Sequence, residues 1–301
     1  MLAALALLSI SPATGQVKVT RITYHDWPNA YRLANETVEL VFVPQIGRVM
    51  RYGFIGGMNL IWENPDLRGK VTDFAKPPQD WLNYGGDKLW PAPQSVWGWP
   101  PDPILDSGPH KVEILSKGRL KVRGQFSQKH GIRFERIIEL AETGTEVTFQ
   151  NTLINESKRP LEWSVWQVTQ VDDPDLTRMD QNLGGKFGKG YFVFEGADPE
   201  PGLLEVAANQ VRLKRGRQKS AKIGGDAPSG RIVAEKGKLR LDMYAIYETG
   251  KTYPDGGCAQ EIYTNPDPLP YIELELLSPI TRLAPRARYT FATCWKLSRL
   301  P

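Results

Sequence analysis

An all-β protein, built as a large antiparallel sandwich, is what this 301-residue chain predicts, on three observations: abundant turn residues, repeated period-two alternation, and no helical period sustained over three turns. Gly 28 and Pro 24 are enough to punctuate many short strands, and nine tryptophans supply large anchors for sheet-on-sheet packing. Alternation is plain at residues 146–155, where Val147, Phe149 and Leu153 fall on one side and Glu146, Thr148 and Gln150 on the other. The last strand repeats it, with Tyr289, Phe291, Trp295 and Leu297 opposite Thr290, Ala292, Cys294 and Lys296. Further strands are expected at 17–24, 38–43, 48–54, 111–115, 120–126, 132–140, 161–171, 239–247, 260–264 and 271–277, nearly all bounded by turn signals. No low-complexity linker divides the chain, so residues 16–301 are expected to form one domain.

Residues 2–10 are almost wholly apolar and are followed by Ala13 and Gly15, the small residues a signal peptidase prefers. A signal peptide over residues 1–15, cleaved after Gly15, is expected, with a buried first strand as the other reading. The run is too short to span a bilayer, so the mature protein is expected to be exported, periplasmic or extracellular, without a membrane span. Lys+Arg 38 against Asp+Glu 34 leaves a net charge of +4, too little over this length for a nucleic-acid footprint. Three histidines cannot furnish a rich metal site, and no P-loop, dinucleotide fingerprint, HExxH or GxSxG is present, so no metal or cofactor is expected. Asp172, Asp173 and Asp175, or Asp255 with Glu261, offer oxygen ligands for calcium but follow no calcium-loop pattern. Cys258 and Cys294 either pair, closing a loop of about 35 residues worth roughly 3–4 kcal/mol, or remain two small buried thiols. The triplets beginning at Asn35 and Asn155 match the glycosylation sequon.

Two stretches read as irregular, 64–110 and 172–190, and the basic run 214–219 reads as a solvated hairpin tip. The first carries Trp81, Trp90, Trp97 and Trp99 among Asn83, Tyr84, Asp87, Lys88 and Gln94. Flat apolar rings interleaved with donors and acceptors suit a saccharide, although the same rings also serve as the core of a long loop. In 271–279, Glu273 and Glu275 project from one strand face, and Glu261 adds a carboxylate on a neighbouring strand. In a cleft, desolvation and mutual repulsion would raise at least one of their pKa values into the range useful for acid–base work; on an open face they would be inert, matched by Arg282, Arg286 or Arg288. In 161–171, Trp163, Val165, Gln167 and Thr169 share one face, and Ser164, Trp166, Val168 and Gln170 the other.

The order and spacing of Gly47-Arg48-Val49, Gly57 to Trp62, Tyr84 to Pro93, Glu162 to Gln167, Lys222-Ile223-Gly224 and Tyr271 to Pro279 resemble the galactose mutarotase-like superfamily of aldose 1-epimerase type, in particular its exported branches. The resemblance covers about residues 35–296 and implies a large antiparallel β-supersandwich with a sugar-binding cleft. It also implies a late-strand glutamate as base on the anomeric hydroxyl, matched best by Glu275 with Glu273 beside it. Where the family places its acid histidines, this chain has Tyr84 before Gly85-Gly86 and Trp166 or Gln167 in the middle strand. Trp and Gln cannot act as general acids, which leaves Lys88, Tyr84 or His25 as substitutes.

Three functions stay open. One is a carbohydrate-active isomerase on a sugar or uronate, with Glu275, Glu273 and Lys88 catalytic and Arg48, Asn83, Tyr84, Asp87, Trp90, Gln94, Trp97, Trp166, Gln167 and Glu261 binding; Lys88 and Arg48 make an anionic sugar plausible. The others are a carbohydrate-binding module without chemistry and a structural β-sandwich.

Overall fold

The computed structural model describes residues 16–76 and 81–301; the expected signal peptide lies outside them. Among the described residues the strands form two antiparallel sheets. The first holds β1 (Lys18–Tyr24), β2 (Trp27–Ala34), β3 (Val38–Val43), β4 (Arg48–Phe54), β5 (Asp87–Ala92), β10 (Leu161–Asp172), β12 (Phe192–Val193), β15 (Ala221–Gly225), β18 (Gln260–Thr264) and β19 (Tyr271–Leu277), with β20 (Thr281–Leu283) paired to β10. The second holds β6 (Lys111–Leu115), β7 (Arg119–Arg123), β8 (Ile132–Leu140), β9 (Val147–Asn155), β11 (Leu176–Asp180), β13 (Leu204–Ala207), β14 (Gln210–Leu213), β16 (Arg231–Lys236), β17 (Leu239–Ala245) and β21 (Arg288–Arg299). Their orders are β1-β2-β3-β4-β5-β10-β19-β18-β15-β12 and β13-β14-β11-β16-β17-β21-β9-β8-β7-β6.

Period-two patterning decides which face of each strand meets the other sheet. From β19, Ile272, Leu274 and Leu276 enter the core, joined by Ile262, Ile223 and Val165; from the second sheet come Ile138, Phe149, Leu241, Phe291 and Trp295. Each such side chain, fully buried, contributes roughly 1.5–3 kcal/mol of transfer free energy. The alternate residues of the same strands, Glu273 and Glu275 among them, therefore stand on the outer face of the first sheet.

The register stacks that outer face into a continuous patch. Trp90 lies opposite Trp166 and Lys88 opposite Val168; Glu275 lies opposite Val168 and Glu273 opposite Gln170; Glu261 lies opposite Glu275 and Tyr263 opposite Glu273; Lys222 lies opposite Tyr263. Gly85 and Gly86 lead the chain into β5 with φ of +87° and +79°. A Cβ at Gly85 would stand 2.2 Å from the Trp62 carbonyl oxygen, so only glycine fits this approach.

Several expectations change. The stretch 64–110 contains strand β5, and 172–190 contains β11. The run 214–219 is not a hairpin tip: it crosses from β14 in one sheet to β15 in the other, and Arg215 is buried between Asp173 and Asp267. Asp172 pairs with Lys236 and Asp173 with Arg215, which accounts for those acids as ion-pair partners. Both cysteines are free; Cys258 is buried beside β18 and Cys294 lies on β21 of the other sheet. The side-chain nitrogens of Asn35 and Asn155 donate to backbone carbonyls inside the fold, so neither sequon presents its amide to solvent. Among the described residues no helix is long and apolar enough to cross a membrane.

Candidate functional site

Two lysine–carboxylate groups stand side by side on the outer face of the first sheet. Lys88 Nζ donates to Glu273 Oε1 at 3.2 Å, and Gln170 Nε2 donates to the same oxygen at 2.9 Å. Lys222 Nζ lies 2.7 Å from Glu261 Oε2 and 3.0 Å from Glu275 Oε2, while the Trp166 indole N–H donates to Glu275 Oε2 at 2.8 Å. Aromatic faces wall both ammonium groups. Lys88 Nζ is 4.6 Å from the Trp90 ring centroid and 5.7 Å from that of Trp81; Lys222 Nζ is 4.8 Å from Trp166 and 4.9 Å from Phe194. Such contacts favour a cation in a dry setting by roughly 0.5–2 kcal/mol each.

Burial sets the electrostatics. Glu261 and Glu275 are 0 % and 1 % exposed, and Lys88 is 1 % exposed. Desolvation holds the Glu261 carboxyl well above the ordinary range despite Lys222, and the charges of Glu275 and Asp255 push the same way. Burial raises Glu273 against the pull of Lys88, and raises Asp255 against that of Lys222. Burial also lowers Lys88, whereas for Lys222 the burial cost is outweighed by Glu261 and Glu275, so its pKa goes up.

Of the residues expected at a site, Lys88, Trp90, Trp166, Glu261, Glu273 and Glu275 meet here. Arg48 is adjacent but committed: it reaches Asp106 at 2.8 Å and the Gly85 carbonyl at 2.6 Å, under the Tyr84 ring. Tyr84 is fully buried with its hydroxyl at Thr72, and Asn83 accepts the Gly85 N–H. Trp97 packs edge-on against Trp90 and donates to the Pro91 carbonyl; Gln94 stands half-buried in the turn after β5. Asp87 and Gln167 lie on the opposite face, between the sheets. There Asp87 bonds Arg136 at 2.6 Å, Gln167 and Thr169, and Gln167 accepts from Thr293 of β21. His25 sits against Glu63, His110 against Gly108 and His130 against Trp97 and Trp163, so none of the three histidines faces the lysine–carboxylate groups. Arg282, Arg286 and Arg288 do not pair the glutamates; the lysines do.

Sequence reasoning missed Lys222, Asp106 and Gln170 as site residues, and weighed Asp255 only as a calcium ligand with Glu261, whereas it stands with Glu261 beside Lys222. Gln170 had a signal, since alternation put it on the Trp166 face. Lys222 stood in the Lys222-Ile223-Gly224 motif, but nothing near it in the chain gave it a role, its partner Glu275 being 53 residues away. Asp106, in the short helix α1 (Pro103–Ser107), accepts the indole N–H of Trp90 at 2.9 Å and of Trp81 at 3.1 Å. A cavity of about 420 Å³ opens beside Trp81 and Asp106, lined also by Thr72, Phe74, Pro101 and Ile104.

The two antiparallel sheets have the fold of solved galactose mutarotase-like proteins. The chain superposes on a galactose mutarotase-like protein from Clostridium acetobutylicum with a TM-score of 0.61 at 13 % identity, covering 95 % of this chain and 99 % of that one. One from Lactobacillus casei gives 0.61 at 9 %, covering 89 % and 100 %. A TPR-domain containing protein from Parabacteroides distasonis gives 0.62 at 14 %; the match covers 90 % of this chain but 47 % of that protein, about half its length. No protein-family model matches the sequence, and no curated protein matches it significantly.

Proposed function

We propose that the outer face of the first sheet binds a saccharide and interconverts its anomers, as an isomerase of aldose 1-epimerase type. The observation that carries this reading is the meeting of Glu275, Glu261 and Lys222 against the Trp166 ring, on a fold shared with mutarotase-like proteins. Opening a cyclic hemiacetal removes the anomeric hydroxyl proton and delivers a proton to the ring oxygen; closure reverses both. Trp166 and Lys222 hold Glu275 through Oε2, and Oε1 has no donor, which leaves it to take the anomeric proton. Glu261, kept in its neutral carboxyl form by burial, is the donor to the ring oxygen and fills the role histidine has in the resembling family. Lys222 balances the charge as the proton moves from one carboxyl to the other. Lys88 and Glu273 orient the remaining hydroxyls, and Trp90 and Trp166 supply the flat wall. The apolar run at 2–10 supports export with maturation after Gly15; a secreted chain beginning at Gln16 by mass spectrometry supports that placement, and an uncleaved one overturns it.

Proton NMR of reducing sugars tests the main proposal, with saturation transfer for binding and anomer exchange for turnover. Glu275→Gln is expected to slow exchange by about 10²–10⁴ while binding stays within about tenfold. Unchanged exchange in this variant removes Glu275 from the chemistry. Binding without exchange in the native protein favours a carbohydrate-binding module, a reading supported by the placement of all three histidines away from this face.

A further inference from the structure

We infer that the saccharide this face takes carries an ammonium group, an amino sugar in place of a uronate; the inference rests on the saccharide reading above. Four carboxyl groups, Asp255, Glu261, Glu273 and Glu275, surround two ammonium groups, Lys88 and Lys222. The next cation, Arg48, is taken by Asp106. The other titratable groups facing the cluster, Tyr263 and Tyr271 from β18 and β19 and Cys258 before β18, are all raised by burial and stay neutral. The face therefore holds more carboxyl groups than ammonium groups, and a uronate would add a further carboxylate to it.

The unfilled hydrogen-bonding positions agree. Glu275 Oε1 and Gln170 Oε1 are buried acceptors without a donor, each on a residue at most 1 % exposed, and Asp255 Oδ2 joins them once its proton leaves. Buried acceptors cost free energy until a donor arrives, and an ammonium group brings three donors together with the charge the cluster lacks. The ring faces that flank Lys88 and Lys222 tolerate a cation at close range. With no ligand present, that excess is relieved by protons on Glu261 and Asp255. An incoming ammonium takes over the neutralisation at Asp255, whose proton leaves for solvent, while Glu261 keeps the proton it donates in the reaction.

Titration calorimetry at neutral pH in phosphate and in Tris decides the matter, with D-glucosamine, D-galactosamine and D-mannosamine set against their N-acetyl forms, the parent hexoses, and D-glucuronate and D-galacturonate. At least one hexosamine is expected to bind roughly tenfold tighter than its N-acetyl and parent counterparts, with uronates weakest, and its heat is expected to differ between buffers in the sense of proton release. In Asp255→Asn the ratio of hexosamine to hexose affinity is expected to fall toward one. A hexose or uronate that binds as tightly as every hexosamine, or a preference that survives in Asp255→Asn, overturns the amino-sugar inference and leaves the saccharide reading intact. Silence from every sugar overturns both.

Discussion

Asp106 accepts the Trp90 indole N–H on one oxygen and that of Trp81 on the other, and its charge faces the buried guanidinium of Arg48. Asp106→Asn keeps the shape but turns an amide NH₂ toward an indole donor and leaves Arg48 without its counter-charge. A loss of about 3–5 kcal/mol in urea unfolding is expected, since the penalty is an uncompensated buried charge; a loss below about 1 kcal/mol would show that Arg48 finds another partner. At this scale the sequence disclosed groups that lie close together along the chain. Glu273 and Glu275 were legible as a pair because strands repeat every two residues, and Trp166 with Gln170 for the same reason. Lys222 and Asp106 were not, because a lone lysine or aspartate acquires its role only from residues that topology brings from far away. Asp87 and Gln167 stood among plausible polar neighbours, yet alternation sends them to the inner face with Arg136, one residue out of phase with Lys88 and Trp166.

Strands whose two faces differ in polarity could be read from the chain with their ends in place, as at β3, β4, β6, β8, β18 and β19. Several of the strands not expected lack that contrast or are too short to show it. All six residues of β5 are buried, Pro91 included, so nothing alternates; β2 begins Trp-Pro-Asn, which reads as a turn; β12, β13 and β14 are four residues or shorter. β5 matters most, because it carries Lys88 and Trp90 into the site, and Gly85 sets its entry. Gly85→Ala would place a methyl group 2.2 Å from the Trp62 carbonyl oxygen at a φ of +87°. A cost of about 2–4 kcal/mol is expected from left-handed strain and overpacking, read as a lower unfolding midpoint; an unchanged midpoint would mean that β5 tolerates a different entry.

Across the whole molecule the two sheets are joined by apolar packing and by a fully buried charged tie through it. Arg136 of β8 reaches Asp87 of β5 at 2.6 Å and Asn151 at 2.8 Å, with its guanidinium 4.7 Å from the Phe149 ring centroid. Arg136→Met is expected to cost about 3–5 kcal/mol, because Asp87 would keep only Gln167 and Thr169. Adding Asp87→Leu should recover much of that loss, and a double variant no better than the single one would show that the tie contributes more than charge compensation. The indole rings above this tie form an unbroken chain: Trp99 to Trp81 at 5.0 Å, Trp81 to Trp90 at 6.0 Å, and Trp90 to both Trp97 at 6.0 Å and Trp166 at 5.3 Å. At such spacings light absorbed by any one ring migrates to the others, and the chain ends at Trp166, whose N–H rests on Glu275. The protein thus carries its own optical antenna, and the colour and yield of its emission will report what sits beside Glu275 without any attached dye.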